Sequence, residues 1–447
     1  MRMIADQAQR DRALDPARSF IVQAPAGSGK TELLVQRYLK LLEVVQKPEE
    51  IVAITFTRKA AAEMKKRVLA KVAPELAPRL RIQTIDALCA SLTRQMPVLA
   101  KFGAPPEIVQ DASELYREAA FRALNELSPP VERLLAHLDN DVAAAASQIA
   151  NMLAKRDQWM RKTGAPPTRA ELEAALAAER ERLLRIARAL LPEASEELAA
   201  ELLTQKGEWR KRNQQAQALS GNEPLRLALN ALLALPPAAY SDAQWAALEA
   251  ILALLAPAVA QLKVVFAERM QCDFTEVAQG ALRALGEPDD PTDLMLSLDF
   301  RIHHLLVDEF QDTSVSQWEL LERLTAGWQP DEGKTLFVVG DPMQSIYRFR
   351  EAEVALFLHA RRAGLGSVKL EPLTLSANFR SQAGVVDWIN AVFRQVLPSQ
   401  EDESSGAVAY SPSTAAHPPA PGDAATWHLF EERTDEARET VQRVKDA

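Results

Sequence analysis

A glycine-rich octapeptide between an apolar run and a helical pattern constrains this chain more than any other feature. The octapeptide is Ala24-Pro-Ala-Gly-Ser-Gly-Lys-Thr31; it ends the apolar run Ser19–Ala24 and opens the helical pattern Thr31–Leu42. Glycines in such a loop let successive backbone N–H groups turn toward phosphate oxygens, and the N-terminus of a helix adds a positive field. The sequence therefore predicts a phosphate-binding loop on a strand–loop–helix unit.

The positions of this loop have expected roles in binding ATP. Lys30 would reach the β- and γ-phosphates, and the Thr31 hydroxyl would hold Mg²⁺. The loop residues around the phosphates would be Ala24, Ala26, Gly27, Ser28 and Gly29. Ala24 replaces the first glycine of the strict pattern, and the alternative is a glycine-rich turn that only precedes a helix.

Two carboxylates follow a second apolar run and are expected to complete this site. The segment Leu305-Leu-Val-Asp-Glu309 ends at the sheet edge where ligands bind in open α/β folds. Asp308 would hold Mg²⁺ through water, and Glu309 would orient and deprotonate the attacking water. The alternative is an ordinary strand end, but the presence of Lys30 in a phosphate loop favours the catalytic interpretation.

Strand and helix patterns alternate in both outer parts of the chain. Short, β-branched apolar runs predict buried strands at Ser19–Ala24, Ile51–Phe56, His304–Val307, Leu336–Val339 and Leu373–Leu375. Strands that alternate with helices favour a parallel α/β sheet. From about residue 99 to 267 alanine, leucine, glutamate and arginine dominate, which predicts a helical insertion.

The composition is that of an ordinary globular protein. Of the 447 residues, 47% are apolar, and the formal net charge is −9. That charge argues weakly against nucleic acid, but a DNA groove needs only local positive charge. Cys89 and Cys272 form no disulfide framework, which suits a reducing cytosol. Polar and charged residues interrupt the apolar stretch Ala247–Phe266, so we expect a buried helix, no membrane span and a cytoplasmic protein.

Six ordered segments over about the first 380 residues form a specific set. They are APAGSGKT at 24–31, AITFTRKAAAEMKKR at 53–67, QTIDALC at 83–89, LLVDEFQDTSVSQ at 305–317, FVVGDPMQSIYRFREAE at 337–353 and LTLSANFRSQ at 373–382. Together they resemble the UvrD/Rep-like DNA helicases of superfamily one, in particular the RecB/AddA-type helicase subunits of bacterial recombination exonucleases.

The resemblance implies an α/β architecture with a RecA-like P-loop motor domain. Residues 1–98 and 268–365 would form this first motor domain, with its parallel sheet, and residues 99–267 would form an all-helical insertion. Residues 366–447 would begin a second motor domain that is truncated in this chain.

The resemblance also assigns further residues to the nucleotide. Gln9, which lies 21 residues before Lys30, looks like the glutamine that reads the adenine edge. Phe379 would lie under the base. Gln344 resembles the residue that senses the γ-phosphate, and Arg380 the arginine that reaches it from the second motor domain. The alternatives are a core side chain for Phe379, a surface position for Gln9 and a surface ion pair for Arg380.

A DNA track is expected at the same edge of the sheet. The residues assigned to it are Phe56, Thr57, Lys59, Tyr347, Phe349 and Arg350. Aromatic side chains would stack on bases without regard to sequence, and the polar groups would contact phosphates. Asp86 stands where many relatives carry histidine, and a carboxylate there disfavours a direct base contact.

These features predict an ATP-dependent DNA helicase that moves 3′ to 5′ along single-stranded DNA in repair or recombination. Its expected partners are single-stranded DNA, DNA ends and a RecC/AddB-like subunit. The family carries further motifs beyond Arg380, so we expect this chain alone to bind nucleotide weakly and to hydrolyse little ATP. The alternatives are a catalytically silent helicase-like scaffold and an RNA-directed or general P-loop ATPase.

Overall fold

The computed structural model describes residues 4–101, 106–160, 167–329, 332–345, 353–403, 406–421 and 439–440. The strands in this part of the chain are β1 (Phe20–Gln23), β2 (Ile51–Thr55), β3 (Arg81–Thr84), β4 (Glu107–Ile108), β5 (Gln271–Cys272), β6 (Gly286–Glu287), β7 (Asp290–Pro291), β8 (His304–Val307), β9 (Thr335–Gly340), β10 (Glu371–Thr374), β11 (Ala377–Gln382) and β12 (Thr414–His417).

The α-helices in the same ranges alternate with the strands at the two ends and follow one another in the middle. They are α1 (Gln7–Ala13), α2 (Lys30–Leu42), α3 (Arg58–Leu69), α4 (Ile85–Gln95), α5 (Ser113–Asn125), α6 (Pro129–His137), α7 (Val142–Ala154), α8 (Arg156–Trp159), α9 (Arg169–Leu190), α10 (Glu196–Leu202), α11 (Gln214–Ala218), α12 (Glu223–Leu233), α13 (Asp242–Arg269), α14 (Phe274–Leu285), α15 (Asp293–Arg301), α16 (Val315–Thr325), α17 (Val354–Ala363) and α18 (Ala383–Val396).

A six-stranded sheet carries the predicted nucleotide site. Its strand order is β10-β1-β9-β8-β2-β3, and every neighbouring pair is parallel. Helices cover both of its faces: Ile21 packs into one apolar cluster, whereas Phe20 and Val22 pack into the other. Burial on both faces explains why these strands are continuously apolar. The predicted α/β class with a parallel sheet is confirmed.

The region between α4 and α14 is almost entirely helical where the structure describes it. The short strands β4 and β5 pair in parallel where the chain enters and leaves this region. Helices α5, α7 and α13 share one apolar cluster with a face of the large sheet, whereas α9 to α12 enclose a separate cluster. The first group of helices is therefore packed as part of the same core as the sheet.

Helix α13 is the one helix in the described ranges that is long and apolar enough to cross a membrane by length and composition. It packs against α5 and α6, and Leu254, Ala258 and Leu262 are buried in the shared core. This packing gives the apolar composition of α13 a structural explanation in a folded protein core.

Strand β10 lies beyond the predicted domain boundary at residue 365 but belongs to the large sheet. It pairs in parallel with β1, with Phe20 opposite Glu371 and Gln23 opposite Thr374. The side chain of Leu373 is buried against the same core as β1. The large sheet therefore includes residues up to 374, and the strands that follow, β11 and β12, pair with each other in a separate sheet.

Candidate nucleotide-binding site

The predicted site lies at the carboxyl ends of three adjacent strands. The phosphate loop follows β1, Asp341 follows β9, and Asp308 follows β8; these strands are neighbours in the sheet. In a parallel sheet all carboxyl ends meet at one edge, so residues far apart in sequence converge there.

The phosphate loop has the backbone shape that binding an anion requires. Gly27 and Gly29 adopt φ angles of 78° and 79°, a region that residues with a Cβ rarely enter. Gly29 precedes the first residue of α2, and its position supplies no side-chain cap to that helix. The first-turn N–H groups are therefore available to an anion. The buried Ser28 hydroxyl also has no hydrogen-bond partner among the described residues.

Lys30 and Glu309, which were predicted separately, form an ion pair. Lys30 Nζ lies 2.7 Å from Glu309 Oε2. Glu309 has a left-handed backbone conformation, with φ of 53°, at the turn after β8. Gln311 holds the same carboxylate, because its Nε2 donates to Glu309 Oε2 at 2.9 Å. The backbone N–H of Asp341 in turn donates to Gln311 Oε1 at 2.9 Å.

Asp308 is nearly buried at the carboxyl end of β8. Burial and, to a smaller extent, the Glu309 charge raise its pKa to about 7, while Lys30 acts in the opposite direction. A buried carboxylate of this kind is stabilised in its charged form by a nearby cation. Mg²⁺ is commonly held by one or two carboxylates together with nucleotide phosphates. The donor set of Asp308 and the Thr31 hydroxyl fits that requirement.

The predicted adenine contacts lie beside the phosphate loop. Gln9 Oε1 accepts a hydrogen bond from the Thr374 backbone N–H at 2.8 Å. The backbone N–H of Phe379 donates to the Gly27 carbonyl at 2.8 Å. The Phe379 side chain is 38% exposed, which rules out a position in the core. The structure thus places Phe379 against the predicted phosphate loop and Gln9 at the end of β10, the strand that pairs with β1.

The two residues predicted to contact the γ-phosphate differ in their surroundings. The Gln344 side-chain amide donates to the carboxylate of Asp341. Arg380 is exposed and begins next to the loop, since a Cβ built on Gly27 would lie 2.9 Å from Arg380 Cβ. Both residues therefore lie close to the sheet edge that carries Asp308.

The predicted DNA residues are only in part described. Phe56 is half-buried and lines a cavity of about 650 Å³ together with Asp86. Thr57 caps α3, because its hydroxyl accepts the Ala60 N–H at 3.1 Å, and Lys59 is exposed. The remaining three, Tyr347, Phe349 and Arg350, lie outside the described residues.

Sequence reasoning missed three residues that support the site. They are Arg10, Gln311 and Asn378, which contact the Ser28 carbonyl, Glu309 and the Ala26 carbonyl, respectively. Gln311 and Asn378 lie inside two of the motifs that carry the resemblance, so their positions in these motifs could have identified them as site residues. Arg10 directly follows Gln9, but no sequence pattern indicates that its side chain contacts the Ser28 carbonyl.

Comparison with known proteins agrees with this geometry. Residues 5–363 match the family described as UvrD/REP helicase N-terminal domain. The chain belongs to this family. It is 27% identical to an ATP-dependent helicase/nuclease subunit of Desulforudis audaxviator, over 96% of this chain and 43% of that protein. The corresponding protein of Pelotomaculum thermopropionicum is 26% identical over 90% of this chain and 39% of its own length.

A third relative matches a shorter part of the chain at higher identity. The corresponding ATP-dependent helicase/nuclease subunit of Exiguobacterium sibiricum is 39% identical over 31% of this chain and 11% of its own length. Across these relatives the chain spans less than half of their length. The predicted resemblance to UvrD-like and AddA-like proteins is confirmed at the level of family.

Proposed function

We propose that this chain provides the ATP-hydrolysing site of a DNA helicase that moves 3′ to 5′ along single-stranded DNA in repair or recombination. The observation that carries the proposal is the convergence of the phosphate loop, Lys30 and Glu309 at one sheet edge, with Lys30 Nζ 2.7 Å from Glu309 Oε2. Membership of the UvrD/REP family supports the helicase assignment.

Each residue of the proposed site would have its own chemical role. Bound Mg²⁺ would neutralise phosphate charge, with Thr31 and Asp308 as its protein ligands. Lys30 would bind the β- and γ-phosphates and leave its pairing with Glu309. The freed Glu309 carboxylate, still held by Gln311, would then accept a proton from the attacking water. Gln344 and Arg380 would contact the γ-phosphate, where charge develops in the transition state.

The DNA would run over the same edge of the sheet. Phe56 would stack on a base, and Thr57 and Lys59 would contact phosphates; Tyr347, Phe349 and Arg350 would extend this track. Thr57 can donate its hydroxyl hydrogen to a phosphate while its oxygen accepts the Ala60 N–H. Stacking that tolerates every base suits a protein that must step along any sequence.

DNA ends and a second protein chain also belong to the proposal. The relatives are named as one subunit of an ATP-dependent helicase/nuclease, which supports a RecC/AddB-like partner for this protein in the cytoplasm. Residues 268–374 and 1–98 would act as the first motor domain, and the segment after β10 would begin the second.

Because this chain alone is expected to hydrolyse little ATP, the test measures low rates of ATP hydrolysis at high protein concentration, with single-stranded DNA, with RNA of the same sequence and without nucleic acid. The helicase proposal predicts stimulation by DNA and its loss in Lys30→Ala, with the exposed Lys40→Ala as the control. Equal or greater stimulation by RNA would favour an RNA-directed ATPase. DNA binding without any hydrolysis in the unaltered protein, unchanged by Lys30→Ala, would favour a silent scaffold.

A further inference from the structure

The carbonyl groups of the phosphate loop accept hydrogen bonds from donors in two segments that are distant from each other in sequence. Asn378 Nδ2 donates to the Ala26 carbonyl at 3.1 Å, and the Phe379 N–H donates to the Gly27 carbonyl at 2.8 Å. Arg10 Nη2 donates to the Ser28 carbonyl at 2.9 Å. Three consecutive loop carbonyls are therefore fixed on the side away from the expected phosphates.

Fixing these carbonyls also fixes the direction of the N–H groups that follow them. In a planar trans peptide unit the C=O of one residue and the N–H of the next point in opposite directions. Holding the carbonyls of Ala26 and Ser28 therefore turns the N–H groups of Gly27 and Gly29 toward the opposite side, where an anion would bind. The N–H of Ser28 is used within the loop, since it donates to the Pro25 carbonyl.

One buried carboxylate connects the two segments that supply these donors. Asp6 lies at the start of α1 and is 4% exposed. It accepts from Arg10 Nε at 2.7 Å and Nη2 at 3.0 Å. It also accepts the backbone N–H groups of Ser376 at 2.7 Å and Ala377 at 2.9 Å, just before Asn378. Arg10 additionally lies over the Phe379 ring, with Cζ 5.1 Å from the ring centroid.

The charge of Asp6 is maintained by these contacts. Burial acts to raise its pKa, but the Arg10 hydrogen bond and the Ala377 and Ser376 N–H groups outweigh burial and lower the pKa. The carboxylate therefore stays ionised and accepts four hydrogen bonds at neutral pH.

We propose that Asp6 and Arg10 are positioning residues that pre-orient the phosphate loop for a triphosphate and tie it to the segment entering β11. The inference rests on the proposed nucleotide site. It makes the loop respond to movement of residues 376–379, because one carboxylate holds both that segment and Arg10. Neither residue contacts the reacting atoms; each acts through the loop backbone.

The test measures the affinity of the 447-residue chain for Mg²⁺-ATP and for Mg²⁺-tripolyphosphate, which lacks a base and a ribose. The variants are Asp6→Asn, which keeps the shape of the side chain, and Arg10→Lys, which keeps the charge but loses the paired donation. Asp11→Asn is the matched control, because Asp11 is an exposed carboxylate on the same helix. Thermal unfolding of each variant without ligand sets a temperature at which all are folded.

We expect Asp6→Asn and Arg10→Lys each to lower the affinity for both ligands by about tenfold. This change corresponds to the loss of roughly one charge-assisted hydrogen bond. Asp11→Asn should leave both affinities unchanged. An equal loss of affinity for ATP and for tripolyphosphate would show that the variants affect phosphate binding by the loop and not adenine recognition. Unchanged tripolyphosphate affinity in folded Asp6→Asn, even with a lowered unfolding temperature, would overturn the inference. Failure of the unaltered chain to bind either ligand would instead overturn the proposed function and this inference with it.

Discussion

At the scale of single residues, the site depends on backbone positions as much as on charged side chains. Gly27 and Gly29 have nearly the same φ angle but different neighbours. A Cβ on Gly27 would lie 2.7 Å from Asn378 Oδ1, whereas a Cβ on Gly29 would meet nothing closer than 3.9 Å. A comparison of alanine substitutions at the two glycines therefore separates the cost of backbone strain from the cost of steric contact.

Gly27→Ala is expected to impair nucleotide binding more than Gly29→Ala. Both variants carry the cost of a left-handed alanine, about 1 kcal/mol, but only Gly27→Ala also displaces Asn378 from the loop. Gly333→Ala is the control for strain alone, because Gly333 has φ of 77° and open space around it. Calorimetric ATP affinity and unfolding temperatures check this; equal ATP affinities in the Gly27 and Gly29 variants would contradict it.

Glu309→Gln is expected to reduce ATP hydrolysis by about 10²–10⁴-fold, because it removes the proposed general base. ATP affinity should be retained or increased, since Lys30 no longer has a carboxylate partner that competes with phosphate. Single-turnover hydrolysis and equilibrium binding separate the two effects. Glu43→Gln, at an exposed carboxylate just after the end of α2, serves as the control. Loss of binding together with hydrolysis would show that Glu309 holds the site together.

At the scale of elements, a buried ion pair joins the helical region to the start of α14, a helix that packs in the same core as the large sheet. Arg156 of α8 donates through both terminal nitrogens to Asp273, at 2.6 Å each, and Asp273 also caps α14. The Tyr116 hydroxyl of α5 donates to the same carboxylate at 2.6 Å. Contacts with Arg156 and Tyr116 lower the pKa of Asp273 despite its burial. Helices from the insertion thus meet at the residue that immediately precedes α14.

Asp273→Asn is expected to lower the free energy of unfolding by about 1.5–3 kcal/mol, because buried Arg156 loses its paired donation to a carboxylate and keeps Glu276, 3.6 Å from its Nη2, as a more distant counter-charge. Asparagine still caps α14, so the loss reports the ion pair rather than the cap. Chemical denaturation measures the change. Glu49→Gln, which breaks the exposed pair with Arg79, should leave the unfolding curve unchanged. A similar small effect from both variants would refute a structural role for Arg156 and Asp273.

Five of the six strands of the large sheet were predicted from the sequence, whereas β3 (Arg81–Thr84) and the pairing of β10 were not. Predicted strands at Ile51–Phe56 and His304–Val307 correspond to β2 and β8, because burial on both faces demands continuous apolar runs. The pairing of β10 with β1 was missed, since a motif shared with relatives does not reveal which sheet a strand joins. The Gln9 contact to Thr374 joins residues 365 positions apart and arises only from the packing of α1 against β10.

At the scale of the whole molecule, the interior of the sheet includes titratable groups. His304 of β8 is buried and forms a hydrogen bond with Thr335 Oγ1 of β9 at 2.8 Å. Burial lowers its pKa to about 4, and the nearby charges of Arg37 and His303 act in the same direction. The folded protein therefore holds His304 neutral at a pH where an unfolded chain would protonate it.

This shift predicts a contribution to stability that depends on pH. It is fully present above the unfolded-state pKa of about 6.5 and is lost as pH falls toward 4, a change of about 3 kcal/mol. His304→Gln should lack it, so the difference in unfolding free energy between the two proteins should change across that interval. Denaturation at several pH values measures the difference. A constant difference would show that His304 does not titrate in this range.

The strand order has a consequence for synthesis of the protein. Strand β1 leaves the ribosome early, yet its two partners, β9 and β10, begin at Thr335 and Glu371. At typical translation rates of about 5–20 residues per second, β1 stays without partners for on the order of tens of seconds. The strand that carries the phosphate loop is therefore an exposed apolar segment of the nascent chain until β9 has been synthesised, and a natural site for a chaperone to bind.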